Sequence, residues 1–469
     1  MKYGLLAWVA ASLMAAAVSF SLVRIPLHVT DNLLVMLQLQ EAPSTAAVFW
    51  TYLGDAGFFR PLYWAQSKAL LDASGGNYFF AYKAFHVGLV CALFALFVRT
   101  ARVRTRIDLA AFVFALTIVT GLHTFRGTVW EGYPINHYLQ IVVCCLGALA
   151  LSQSRGGWWA DVGAAALFVF AALALETGLL TWVVFFLARV AGLRGVSWKG
   201  VGAVTALVVG YLVVRFVVLQ TGTPDISERA TGFLFGRLDR AEIAERFAES
   251  PYVLYAYNIV ASALSVILSE PRGGTWETTR LWLEGNVAPW MVVALVSSLI
   301  ATGLIVWFAV GRLSQWRAGE FEHGDQLIIV SIGVIGANAA ICFLYTKDEI
   351  ISTAGVFYAL GVFAAARAAL TRFAAVPRTA LATAAITVLL LSASTTWAIR
   401  SVGLHYHLYY AAHYSRNEWA TVQEWMRSQD VEPTTEQGRE MVAVLQAVAI
   451  ERPVLNLHFL PRWAERWFG

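Results

Sequence analysis

"FFAYKAFHVGLVCALFALFVRTARVRTRIDLAAFVFALTIVTGLH", residues 79–123, holds two apolar runs, 79–98 and 109–123, either side of a tract carrying Arg99, Arg102, Arg104 and Arg106. About 20 apolar residues suffice to cross a bilayer as a helix, and arginine-rich loops stay on the cytoplasmic side. The stretch therefore predicts two membrane helices joined by a cytoplasmic turn. Further apolar runs recur at 4–23, 136–151, 160–175, 177–190, 200–219, 251–269, 287–309, 326–345, 350–366 and 379–399. Of 469 residues 58% are hydrophobic and 14% charged, with a mean hydropathy of +0.62. Soluble domains have about 45–50% and about 25%. The sequence reads as an all-α polytopic membrane protein.

Arginine orients the segments. Arg155, Arg194 and Lys199 fall in alternate loops with the Arg99–Arg106 tract, placing residues 24–78, "HTFRGTVWEGYPINH", the turn at Glu176 and the stretch from Gln220 on the outer side. The carboxyl half depends on "PYVLYAYNIVASALSVILS". If it does not cross, Arg312, Arg317, Arg367, Arg372 and Arg378 lie inside against Arg272, Arg280 and Lys347 outside; if it crosses, the sets swap. The first arrangement puts more positive charge inside, giving about eleven spans rather than about twelve. The segment itself, with Tyr252, Tyr255, Tyr257 and Asn258, is then expected as a helix in or near the outer interface. The apolar run continuing through Val23 reads as a retained first span rather than a cleaved leader. With no internal repeat, residues 1–400 form one transmembrane domain and 401–469 a short helical tail on the outer side, with breaks at Pro433 and Pro453.

Several function classes drop out. A net charge of +4 with no basic tract beside a stacking surface gives no case for nucleic acid. Cys91, Cys144, Cys145 and Cys342 lie inside apolar runs with no paired spacing, as buried small hydrophobes do. The many tryptophans near the ends of apolar runs suit interfacial belts. The outward face gathers Asp31, Asp55, Arg60, His123, Arg126, Glu131, His137, Glu176, Lys347, Asp348 and Glu349. Ionisable groups at span ends are costly and mark a pathway or a site by default. Asp55, Asp225 and Glu349 read as solvated loop carboxylates, whereas Asp31 and Glu176 each stand alone between two apolar stretches.

An Asp just after the first span, "FFRPLYW" opening a juxtamembrane helix within the long first outer loop, "YLQ" leading the fourth span and "LETGLL" between the fifth and sixth resemble the GT-C superfamily of integral membrane glycosyltransferases. The likeness is greatest to bacterial proteins related to protein O-mannosyltransferases, in which a K-E-T/S-G type turn stands where this chain has Leu175-Glu176-Thr177-Gly178. It covers roughly residues 1–220 in layout. The resemblance implies an inverting transfer of sugar from a polyprenyl-phosphate donor to a glycan, lipid or protein acceptor outside the plasma or inner membrane. It also assigns the catalytic base to the acidic residue of the first outer loop, here Asp31. This chain has Asp31-Asn32 where many members pair acids, and Leu175 replaces the usual lysine. A lone Asp leaves a divalent metal open, since hard cations want several oxygen ligands.

The chemistry fits the layout. A leaving polyprenyl phosphate is an anion at the membrane surface, and the planar fork of arginine matches its oxygens. Arg60 and Arg126 are the candidates, with Lys347 as a third and Glu131, His137, Glu176 and Asp348 in support. The amphipathic run "RPLYWAQSKALLDAS", with Leu62, Ala65, Leu70 and Leu71 opposite Gln66, Lys68 and Asp72, suits a helix framing a lipid entrance or a plain interfacial anchor. The rival readings are a secondary transporter, which would gather charge near the membrane midplane on broken helices, and a non-catalytic membrane protein.

Overall fold

The computed structural model describes residues 2–24, 39, 42–54, 59–75, 78–129, 135–221, 226, 231–268, 276–375, 380–417, 435–436 and 438–440. Asp31, Asp55, Glu131, Asp225 and nearly all of the expected tail beyond Asn417 lie outside the described residues. The described chain is almost wholly helical. In order come α1 (Lys2–Arg24), α2 (Thr45–Leu53), α3 (Pro61–Ala73), α4 (Tyr78–Ala101), α5 (Arg106–Gly121), α6 (Arg126–Val129), α7 (His137–Ser152), α8 (Trp158–Ala174), α9 (Leu180–Val190) and α10 (Trp198–Val213). A small hairpin of β1 (Thr231–Phe233) and β2 (Gly236–Leu238) follows, then α11 (Arg240–Phe247), α12 (Tyr252–Ile267), α13 (Glu277–Leu283), α14 (Pro289–Arg317), α15 (His323–Ile341), α16 (Ser352–Ala374) and α17 (Ala380–Asn417).

Among the described residues six helices are long and apolar enough to cross a membrane: Lys2–Val23, Phe80–Ala101, Trp198–Val218, Pro289–Arg317, His323–Ile341 and Ser352–Ala374. A seventh would be α5 taken with the segment His123–Val129, the pair bent by 67°. This is an all-α chain with the character of a multi-pass membrane protein. Helices suit that solvent because each satisfies its own backbone hydrogen bonds. At the centre lies α16, with 83% of its most apolar window buried. Its alanines and glycines let neighbours approach on every side: Gly355 meets Thr124, and Gly361 meets Ile305 and Ser331.

The bundle has two chemically different ends. At one, Arg102 Nη2 donates to the Gln153 carbonyl at 2.8 Å, Gln153 Nε2 to the Thr100 carbonyl at 3.3 Å, and Gly195 N to the Ser152 carbonyl at 2.8 Å. Arg367 bonds Asp108 at 2.7 Å, and Phe321 packs beside Gly192. The turns after α4, α7, α9 and α14 and the last part of α16 therefore share this basic end. Helix starts here are capped: Thr105 and Asp108 form a capping box on α5, Glu322 and Asp325 another on α15, and Ser197 caps α10. At the opposite end Lys83 Nζ reaches the Leu22 carbonyl at 3.2 Å, and Gly121 lies against the backbone of Trp397.

Two expectations change. The segment at 252–267 neither lies flat at the surface nor spans the bundle. From the non-basic end, where Asn258 Nδ2 donates to the Phe343 carbonyl at 2.9 Å, α12 descends until the Ile267 carbonyl accepts from Thr302 Oγ1, midway along α14. Trp276 stands within 6.4 Å of Tyr257 by ring centroids, at the end where α12 begins. The buried Asn258, Ala261, Ser262 and Ser265 supply a narrow face of small and polar groups that admits the helix among its neighbours. Arg312 and Arg367 lie at the basic end, paired with Asp325 and Asp108. Among the cysteines, Cys91 is exposed on α4 while the other three are buried, so three of the four behave as buried small hydrophobes.

Candidate functional site

Among the described residues, Arg60, Glu176, Arg126 and Glu349 stand at the non-basic end, and these four are paired rather than solvated. Arg60 is the N-cap of α3 and precedes Pro61, whose fixed φ starts the helix at once. Its guanidinium points at Glu176: Nε donates to both carboxylate oxygens at 3.1 and 3.0 Å, and Nη2 lies 2.8 Å from Oε2. Glu176 opens a short 3-10 turn, Glu176–Leu179, between α8 and α9. The turn is tight because Gly178 sits against the backbone of Ala171 and Ala172, where a Cβ would collide with the Ala171 carbonyl. Thus the "ETG" of the sequence has two jobs: the acid supplies charge, and the glycine fixes where that charge stands.

A second arginine completes the group. The last turn of α10 widens into a π-helical stretch, Val214–Val218, a distortion frequent at functional sites. It carries Arg215, with Nη2 at 3.4 Å from Glu176 Oε1 and Nη1 donating to the Tyr211 hydroxyl at 2.9 Å. Arg60, Glu176 and Arg215 are 19, 20 and 13% exposed, so water screens them only in part. Burial pushes the Glu176 carboxyl up, but the two guanidinium groups outweigh it and hold the carboxyl below its ordinary value. One carboxylate between two arginines leaves the triad with an excess positive charge.

Other expected groups lie at the same end. Arg126 opens α6, and its Nε lies 3.2 Å from Glu349 Oε1. Gly127 lets that approach happen, since a Cβ there would strike Ser352 Oγ and the backbone of Glu349. Glu349 is buried, which corrects its reading as a solvated loop carboxylate: the α15 to α16 connection tucks under α6, and burial is tolerated because Arg126 matches the charge. Asp348 is buried beside it in the chain, while Lys347 is partly exposed. His137 is buried at the start of α7, its ring edge-on to Tyr63 at 5.1 Å. The fields of both Arg60 and Lys347 reach that ring. Gln140 Nε2 donates to Gln66 Oε1 at 3.0 Å, tying α3 to α7.

Helix α3 exists where the amphipathic run placed it, but Lys68 faces inward, buried, with its ammonium 2.8 Å from Asp72. Its methylene stem covers apolar surface while the half-exposed Asp72 meets the charge. The sequence reading also missed Arg215 and its partner Tyr211. The signal was present: Arg215 is a charge inside the apolar run 200–219, a position that argues for a site by default. Among the described residues no three His, Cys, Asp or Glu side chains converge to hold a metal ion. Chemically, the layer sets two guanidinium groups around one fixed carboxylate and leaves a net positive charge there. No family model, curated protein or solved structure matches this chain.

Proposed function

We propose that the chain is an integral membrane glycosyltransferase that moves a sugar from a polyprenyl-phosphate donor to an extracytoplasmic acceptor, with inversion. In this reading α1, α4, α5, α7 to α10 and α14 to α17 are eleven traverses, and α12 enters and leaves from the outer side. The basic end then faces the cytoplasm and the Glu176 end faces outward. The observation that carries the proposal is the Arg60–Glu176–Arg215 triad, with Lys347 in electrostatic reach of the same histidine as Arg60. These cations supply what a departing phosphate needs. The acceptor oxygen bonds to the anomeric carbon as the bond from that carbon to the phosphate oxygen breaks. The electron pair leaves with the polyprenyl phosphate, which the arginines stabilise, and the acceptor proton passes to Asp31.

The test is Asp31→Asn in proteoliposomes with a radiolabelled polyprenyl-phosphate sugar. The substitution keeps volume and one carbonyl but removes the basic oxygen. Transfer should fall by about 10²–10⁴-fold with donor binding retained. A stable, inserted variant that transfers at the native rate removes Asp31 from the role of base. A second reading, a secondary transporter, draws support from the 67° break after α5 and from the half-length α12, since transporters build sites on discontinuous helices. Uptake of a small solute by protein that transfers no sugar from any such donor would select it.

A further inference from the structure

The basic end carries a second surface that the proposed transfer does not use. Three loops are hydrogen-bonded side by side there through Arg102, Gln153, Ser152 and Gly195. On them stand Arg99, Arg102, Arg104, Arg155, Arg194 and Lys199, all exposed. The carboxylates on the two helices that these loops lead into are engaged elsewhere: Asp108 bonds Arg367 and caps its own helix, and Asp161 accepts from Ser197 N and Oγ at 2.8 and 2.6 Å. Among the described residues no carboxylate lies within ion-pair distance of any of the six cations. Crowding is real at the centre of the group, where burial first and then Arg104 and Arg99 push the Arg102 guanidinium below its ordinary pKa. Like charges held together by backbone hydrogen bonds, with their local carboxylates otherwise engaged, want an external anion.

Position and neighbours say which anion. The cations cap the ends of Phe80–Ala101 and Trp198–Val218, two of the spans, and so lie at headgroup depth. Beside them Trp158 and Trp159 are 61 and 69% exposed and stacked at 3.4 Å, and Trp198 is exposed with Arg189 over its ring at 5.3 Å. Indole rings settle at headgroup level and basic groups beside them meet anionic lipid, so the pairing at this depth suits the bilayer interface. We propose that this surface binds the headgroups of anionic phospholipids in the adjoining leaflet.

The test uses the full chain in nanodiscs of phosphatidylcholine containing spin-labelled phosphatidylglycerol or, as reference, spin-labelled phosphatidylcholine. The motionally restricted fraction reports selectivity. The native protein should select phosphatidylglycerol, with the selectivity falling as salt rises. R102Q/R104Q should weaken it by about tenfold to thirtyfold, since each basic group at the surface contributes about a fivefold factor. R102K/R104K retains the charge and should retain most of the selectivity, which keeps the test valid if the glutamine pair inserts poorly. R237Q/R240Q, at the other end, should leave it unchanged. Equal restriction of both lipids by the native protein overturns the proposal and leaves the surface to an acidic protein partner. Equal loss in the R237Q/R240Q control would overturn it too, by making the selectivity a matter of total charge.

Discussion

Replacing Glu176 by glutamine isolates what the triad contributes. The carboxylate receives Arg60 through contacts at 3.1, 3.0 and 2.8 Å and Arg215 at 3.4 Å. Glutamine keeps one oxygen for Arg60 but turns an amide nitrogen toward Arg215, a donor against a donor, and strands two guanidinium groups in a half-dry site. Removing one partner of a buried pair costs about 3–5 kcal/mol. Because the three side chains retain 13 to 20% exposure, hydration offsets part of that loss, and about 2–3 kcal/mol is expected. The assay is denaturation of the detergent-solubilised protein by increasing dodecyl sulfate, followed by far-ultraviolet circular dichroism. The triple variant R60M/E176L/R215M, which strands no charge, should recover most of the loss. The pH dependence has a fixed sign. A carboxyl held below its ordinary value of 4.5 stabilises fully above that value and loses the contribution as pH falls through the lower folded value. The gap between native and E176Q should therefore stay constant down to about pH 5 and close in stronger acid. A variant within about 0.5 kcal/mol of native at neutral pH, or a gap indifferent to acid, would refute this account of the triad.

Arg60→Lys keeps the charge but cannot present Nε and Nη2 to one carboxylate, so in a sugar-transfer assay the donor KM should rise about tenfold or more; an unchanged KM removes Arg60 from the anion site. Asp325→Asn breaks a pair of comparable geometry at the basic end, where the fully buried carboxylate accepts from Arg312 at 2.9 and 2.7 Å and from Trp316 Nε1 at 2.8 Å. It should cost about 3 kcal/mol in the same denaturation assay while transfer per folded molecule stays at the native level. In a background lacking the four native cysteines, cysteine at Glu245 should react with an impermeant thiol reagent added outside intact cells. Cysteine at Glu320, at the basic end, should be protected; the reverse pattern inverts the orientation.

Much of the fold was legible because the bilayer is a demanding solvent. Apolar runs and arginine loops are forced by it, and α4, α5, α7, α8 and α9 lie within a few residues of the runs that announced them. What the sequence hid was partnership. Glu349 stands in the polar string "YTKDEI", where loop solvation is the default, and only the approach of Gly127 from a distant segment buries it against Arg126. Arg215 was hidden for the opposite reason, lying in an apolar run that reads as span and is turned inward by a π-helical widening no local pattern specifies. The half-length α12 was ambiguous because 16 residues of apolar helix suit a surface, a buried core or a half-span equally. Depth is set by what packs against it, here Phe343 and Thr302.

In the proposed reaction, how the triad would receive a phosphate follows from how its members are held. Arg215 is held at both guanidinium ends, by Glu176 and by Tyr211. Glu176 is held by its turn, because Gly178 has no room to shift against Ala171 and Ala172. Arg60 sits at the start of α3, which Gln66 to Gln140 and Tyr63 against His137 tie to α7 and which the Tyr82 hydroxyl, donating to the Ser67 carbonyl at 2.9 Å, ties to α4. In the proposed reaction, then, the carboxylate is a fixed post between two arginines that are themselves held in place. An arriving phosphate would share the arginines with Glu176 rather than displace it, drawn by the excess positive charge of the triad and by Lys347. In that reading the carboxylate also has a role before any donor arrives: without it the two arginines would repel each other, and the proposed site would have no fixed shape.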